Sequence, residues 1–157
     1  MNAPARAGCG FVVYRWTENT RLPTAGARRA LDEALTRLGV EEEVREDAQL
    51  ALSELVANAA EHARGPYEVR LQRVLSGWVC EVGDGDPQLP ELPQLPPSPL
   101  FPPEEEGCGG GLDALLSVLE ERGRGLQVVH QLTGGGWGFY RAGSTKVAWF
   151  VVGAAVP

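Results

Sequence analysis

The chain has 157 residues, of which 43% are hydrophobic and 22% charged, values that are typical of one globular domain and exclude wholesale disorder. Fourteen basic residues against 21 acidic ones give a net charge of −7, which argues against nucleic acid or an anionic membrane surface as the main partner. Thirteen of the basic residues are arginine, and Lys146 is the single lysine. Three scattered cysteines and an N-terminus without an apolar stretch predict a reducing, cytoplasmic location.

The first predicted elements are a strand and two helices. β-Branched and aromatic residues over 10–17 predict the strand. Leucine and alanine then recur at helical spacing between Pro23, a common first residue of helices, and Gly39, a common stop signal. A second, longer helix is predicted over 41–63 by an apolar stripe, and Gly65-Pro66 ends it.

A hairpin and a loop follow. Residues 67–72 alternate between apolar and polar side chains, which predicts a half-buried strand, and a turn at Ser76-Gly77 leads to a second strand over 78–82. Residues 86–103 then hold eight of the twelve prolines, a density that predicts an extended, irregular loop. Leucines at helical spacing between Leu112 and Leu119 predict a short helix after this loop.

The last predicted elements are a helical segment near 123–132 and two strands, near 137–141 and 145–152. Strands and helices are mixed along the chain without regular βαβ alternation. The sequence therefore predicts an α+β fold, a two-layer sandwich whose helices cover one face of a mainly antiparallel mixed sheet. We expect a single domain over 10–153, preceded by a flexible N-terminus over 1–9.

Three polar motifs are candidates for chemistry. Glu54 and Asn58 are four residues apart, so they share one face of the long helix at the rim of its apolar stripe. Asp84 and Gly85 follow a predicted strand, where a carboxylate beside glycine can meet the hydrogen-bond donors of a ligand. The segment Gly123-Arg124-Gly125-Leu126 opens a helix, and the free N–H groups of a helix start bind anions. Taken singly, these motifs also fit a solvated helix face or an ordinary turn.

In order and spacing, the three motifs together resemble the nucleotide-binding boxes of the GHKL ATPase superfamily, which includes gyrase B, MutL, the Hsp-ninety chaperones and the histidine-kinase ATPase domain. The resemblance is strongest to its small single-domain branch, the bacterial anti-sigma-factor serine/threonine kinases. The stretch 53–59 with His62 is close to the helix box of that branch, and the stretches 123–129 and 146–150 resemble its C-terminal pattern. The resemblance covers roughly residues 11–152.

The resemblance implies a Bergerat-type ATP-binding fold and a role for each motif. Asn58 would coordinate Mg²⁺ through a neutral oxygen, and Glu54 would be the general base. The pair Asp84-Gly85 would bind the adenine. The segment Gly123-Arg124-Gly125-Leu126 would bring backbone amides to the phosphates, and the Pro- and Gly-rich segment of about 87–111 would be the ATP lid.

The implied function is that of a cytoplasmic, ATP-binding regulator with Mg²⁺ as its metal. It would be a serine/threonine kinase that binds a sigma factor or similar target and phosphorylates a small anti-anti-sigma-type antagonist, without contacting nucleic acid or a membrane. Relatives are often homodimers. Two positions depart from the family pattern: Asp86 adds a carboxylate, and Val147 replaces a common threonine. These departures keep open the alternative of a catalytically silent module that sequesters a partner. A third reading is an ATPase domain that serves a separate sensor kinase.

Overall fold

A computed structural model describes residues 6–90 and 124–153 of the chain. The predicted short helix between Leu112 and Leu119, and the predicted lid beyond residue 90, lie outside the described residues. None of the helices within these two ranges is long and apolar enough to cross a membrane. The described strands and helices follow the predicted order: β1 Arg6–Trp16, α1 Pro23–Arg37, α2 Glu42–His62, β2 Tyr67–Val74, β3 Gly77–Asp84, α3 Arg124–Thr133, β4 Trp137–Ala142 and β5 Thr145–Val152.

The five strands form one sheet in the order β1-β2-β3-β5-β4. The strands β2 and β3 make one hairpin, with Val74 opposite Gly77, and β4 and β5 make another, with Ala142 opposite Thr145. Each neighbouring pair in this sheet is antiparallel, whereas the sequence predicted a sheet that was mixed in part. The α+β class and the predominance of antiparallel pairing are confirmed.

The helices pack on one face of the sheet and bury its apolar side chains. Val82 of β3 and Ala148 of β5 belong to the same buried cluster as Leu55 of α2. Because alternate residues of a strand point to the same face, Asp84 and Lys146 also point to the helix side of the sheet. The apolar packing that holds α2 on the sheet thus also determines which polar side chains face this helix.

The strand β1 begins at Arg6, so residues 6–9, which the sequence assigned to a flexible N-terminus, are part of a strand. Its pairing with β2 changes register between Arg6 and Gly10, and the side-chain amide of Gln72 donates a hydrogen bond of 2.6 Å to the carbonyl of Gly8. These residues are small or polar and lack the β-branched pattern of a typical strand. Pairing with a distant strand extends β1 here, and no local pattern in the sequence indicated it.

The C-terminal end of α2 is joined to the end of the sheet that carries Asp84. The backbone N–H of Gly85 donates to the carbonyl of Arg64 at 2.7 Å, and the Tyr67 hydroxyl donates to the carbonyl of Ala63, also at 2.7 Å. Both carbonyls belong to the segment that directly follows α2. The two hydrogen bonds hold the end of β3 and the start of β2 against this segment.

Candidate functional site

The polar face of α2 contains Glu54 and Asn58, which are both half-buried next to the fully buried Leu55 and Ala59. Their spacing of four residues places them one above the other on the helix. The sequence motif thus lies at the rim of the core, as its position beside the apolar stripe predicted. Both side chains keep partial access to solvent or to a ligand.

The Glu54 carboxylate lies against the first turn of α3. A Cβ atom on Gly125 would come within 2.7 Å of Glu54 Oε2, so glycine at this position is what allows the carboxylate and the helix to approach so closely. The first turn of a helix presents free N–H groups and the positive end of the helix dipole. The structure therefore brings together the Glu54 carboxylate and the first described turn of α3, two features that the sequence identified separately.

The structure describes only some of the other residues of the predicted phosphate-binding segment. Gly123 lies outside the described residues, and Arg124 is the first residue of α3. Leu126 is 7% exposed and belongs to the hydrophobic core, so any contact it makes with a ligand has to come from its backbone. The neighbouring Gln127 is also buried, and its Oε1 has no hydrogen-bond partner within the described part of the chain.

Asp84, the last residue of β3, is a buried carboxylate with two different oxygens. Its Oδ1 accepts the backbone N–H of Asp86 at 2.9 Å, and its Oδ2 lies 3.3 Å from Lys146 Nζ on β5. Burial raises the pKa of Asp84 above its usual value, and the nearby Asp86 carboxylate acts in the same direction. The Asp86 N–H and the Lys146 ammonium oppose this rise without cancelling it.

Lys146 pairs with Asp84, a contact that sequence reasoning missed. The strand register places it directly opposite Asp84, whereas Val147 is opposite Gly83 and points to the other face of the sheet. Val147, the position that departs from the family pattern, therefore does not face Asp84. The signal that was present in the sequence is that Lys146 is the single lysine of the chain.

An aromatic wall adjoins Asp84 on its other side. Glu68 of β2 lies opposite Gly83 of β3, so the preceding residue Tyr67 lies beside Asp84. The ring of Tyr67 stacks on the ring of Trp16, with 4.9 Å between the centroids. Burial raises the pKa of Tyr67, and the negative charges of Glu18 and Asp84 raise it further. Asp84 itself is 3% exposed, and a carboxylate from which water is excluded interacts more strongly with any hydrogen-bond donor.

Gly85 fits closely against the end of α2. A Cβ atom there would contact the Gly65 carbonyl and would lie 3.0 Å from the Arg64 carbonyl oxygen, and both are backbone atoms. Asn58 lies four residues before His62, the last residue of α2, which is about 6 Å along the helix axis. The residue after Asp84 is therefore held against the segment that directly follows the helix carrying Asn58.

The donor set fits a nucleotide with one metal ion. Asn58 offers a single neutral oxygen, and Mg²⁺ in nucleotide sites takes one or two protein ligands and completes its coordination with phosphate and water. Within residues 6–90 and 124–153, no three His, Cys, Asp or Glu side chains are grouped in a way that could hold a metal ion. Asp84 provides an acceptor for a base, and the start of α3 provides donors for phosphate.

The family model of the histidine kinase-like ATPase domain matches residues 16–134, which are 119 of the 157 residues. The matched region contains Glu54, Asn58, Asp84 and Gly125, and it ends before Lys146. No curated protein and no solved structure matches the chain. The chain belongs to the histidine kinase-like ATPase domain family, and this membership and its α+β fold support an ATP-binding regulatory role of the GHKL type.

Proposed function

We propose that the chain binds ATP with Mg²⁺ between α2, the start of α3 and the ends of β3 and β5, and acts as a serine/threonine kinase of the anti-sigma-factor type. One observation carries the proposal: Glu54 of α2 contacts the first turn of α3, while Arg64, two residues after the end of α2, accepts a hydrogen bond from the residue after Asp84. A carboxylate, an anion-binding helix start and a buried acceptor for a base thus lie on elements that contact one another.

The proposal assigns one task to each group. Asp84 accepts a hydrogen bond from the adenine amino group, and Asn58 supplies a neutral oxygen ligand for Mg²⁺. The first turn of α3 binds phosphate oxygens through its backbone N–H groups. Glu54 takes the proton of the serine or threonine hydroxyl that attacks the γ-phosphate, and a general base of this kind contributes about 10²–10⁴-fold in rate.

The proposed partners are proteins. They are a sigma factor or a similar target, and a small antagonist protein that carries the accepting hydroxyl. The net charge of −7 supports a protein rather than a nucleic acid as the direct partner. A cytoplasmic location and a homodimeric state belong to the same proposal.

A second candidate function is a silent module that keeps the fold and sequesters a partner without turnover. The observation in its favour is that Asp84 already has an ion-pair partner, Lys146. Asp86, in contrast, gives it little support, because its Oδ1 accepts the N–H of Gln88 at 3.0 Å and is thereby engaged in a local turn. The two candidates differ in phosphoryl transfer and in nucleotide binding.

The test is phosphorylation of small proteins in a phosphatase-treated extract of the source cells by the purified chain and radiolabelled ATP. We expect the parent to label serine or threonine, and Glu54→Gln to lose about 10²–10⁴-fold in rate while its ATP affinity stays within a few-fold. The matched control is Glu61→Gln on the same helix, whose side chain is 73% exposed and which should transfer like the parent. Equal labelling by the parent and Glu54→Gln would contradict the assigned base, and no labelling by the parent would favour the silent module.

A further inference from the structure

Lys146 is a buried cation with unused hydrogen-bonding capacity. Its side chain is 10% exposed and that of Asp84 is 4% exposed, and the two are 3.3 Å apart from Nζ to Oδ2. An ammonium group has three N–H donors, and Asp84 is the one partner of Lys146 that the described ranges contain. Unmet donors are costly in a site from which water is largely excluded. The geometry therefore indicates a ligand acceptor next to Asp84.

The two oxygens of Asp84 determine where such a ligand would bind. Oδ1 already accepts the backbone N–H of Asp86 at 2.9 Å, and Oδ2 is the oxygen paired with Lys146, so a donor that binds beside Lys146 meets Oδ2. Oδ2 lies 3.3 Å from Lys146 Nζ, and its two lone pairs allow it to accept from Lys146 and from a ligand donor at the same time. An acceptor and a donor thus lie side by side on the helix face of the sheet, at the ends of two paired strands.

We infer that Lys146 is a second base-reading residue, and that it donates to ring nitrogen N1 of adenine while Asp84 Oδ2 accepts from the amino group on C6. The inference rests on the proposed function, because it assumes that adenine binds at Asp84. In adenine a single carbon separates N1 from the amino nitrogen, so a donor and an acceptor 3.3 Å apart match this edge without breaking the ion pair.

The chemistry of lysine favours this role over a purely structural ion pair. A buried ion pair is not stabilising in itself, because desolvation of both charges offsets their attraction. All thirteen other basic residues of the chain are arginine, whose planar fork suits a two-point contact with a carboxylate. Lys146 instead provides a compact charge that makes one contact with Asp84 and keeps donors for a second acceptor.

The experiment compares ATP with two deaza analogues and with GTP by calorimetric titration. ATP offers both N1 and the amino group on C6, whereas 1-deaza-ATP lacks only the N1 acceptor. The analogue 7-deaza-ATP keeps both groups and serves as the control for altering the ring. In the parent we expect ATP and 7-deaza-ATP to bind alike and 1-deaza-ATP to bind roughly tenfold to hundredfold more weakly, the value of one hydrogen bond to a charged group. In Lys146→Met this difference should disappear, whereas Lys146→Gln, which keeps an N–H donor, should retain part of it.

The outcomes separate the inference from the proposed function. If the parent binds ATP but binds 1-deaza-ATP equally well, or if folded Lys146→Met still discriminates, Lys146 does not read the base. Tighter binding of GTP than of ATP would overturn the adenine assignment. Absence of saturable binding of any of these nucleotides would overturn the proposed function and the inference together. The parent comparison requires no substitution, so it decides the question even if Lys146→Met fails to fold.

Discussion

The substitution Gly85→Ala tests whether the close contact between β3 and α2 builds the site. The added Cβ would contact the Gly65 carbonyl and lie 3.0 Å from the Arg64 carbonyl oxygen, and backbone atoms cannot rotate away as a flexible side chain can. The end of β3 would have to move away from α2. This movement would also lengthen the 2.7 Å hydrogen bond from the Gly85 N–H to the Arg64 carbonyl.

The expected loss of stability in Gly85→Ala follows from these two effects. Forcing an extra carbon into a packed contact costs about 1–3 kcal/mol, and loss of one hydrogen bond costs about 0.5–1.5 kcal/mol. We therefore expect Gly85→Ala to lower the free energy of unfolding by about 2–4 kcal/mol, which for a chain of this size is a decrease in Tm of roughly 5–15 °C. Because Asp84 adjoins the contact, the affinity for ATP should fall as well.

The matched control is Gly83→Ala, two residues earlier in the same strand. A Cβ at Gly83 would meet only the Glu68 carbonyl at 3.9 Å, an ordinary contact, and neither glycine adopts a positive φ. Replacing glycine by alanine inside a strand is then neutral or stabilising by up to about 1 kcal/mol. Thermal unfolding monitored by circular dichroism measures both variants. Equal Tm values for Gly85→Ala and Gly83→Ala would refute the close-packing argument.

Three further predictions concern the site itself. Gly125→Ala should displace the flexible Glu54 carboxylate, so phosphoryl transfer should fall. Its Tm, measured by calorimetry, should stay level or rise because alanine has the higher helix propensity, and unchanged transfer would contradict the prediction. Asn58→Ala should weaken ATP binding in Mg²⁺ more than in a chelator; equal weakening in both titrations would argue against a metal ligand. Burial raises the pKa of Asp84, so as the pH is lowered the acceptor becomes protonated, and ATP affinity begins to fall, at a higher pH than for an ordinary aspartate. Dissociation constants measured between about pH 4 and pH 8 should show this fall for the parent and not for Asp84→Asn.

Local periodicity made most of the fold predictable. The apolar stripe of α2 and the alternation in β2 each repeat with the spacing of one secondary structure, so their bounds came out within one or two residues. The start of β1 could not be predicted in this way, because residues around Gly8 are held by the backbone and side chain of β2 rather than by their own pattern. Tertiary pairing determined this element.

The candidate site likewise has a part that could be predicted from local sequence and a part that depends on tertiary pairing. The spacing of Glu54 and Asn58 on one helix face follows from helix geometry, so it could be read from the sequence. The pairing of Asp84 with Lys146 joins residues 62 positions apart, and it depends on the register of two strands that a single sequence does not specify. The same limit applied to Asp86, for which the sequence indicated an added carboxylate but not its direction; in the structure its Oδ1 accepts the N–H of Gln88.

The most direct test of the central claim, that Asn58 and Asp84 form an ATP site, is a calorimetric titration with Mg-ATP. The parent should bind saturably, and Asn58→Ala and Asp84→Ala should each bind roughly tenfold to hundredfold more weakly, because each loses a metal ligand or a hydrogen bond to a charged group. Asp86→Ala, which keeps the backbone N–H that Asp84 accepts, should stay within a few-fold of the parent. Saturable binding that neither Asn58→Ala nor Asp84→Ala weakens, or no binding by the parent at millimolar ATP, would contradict the account.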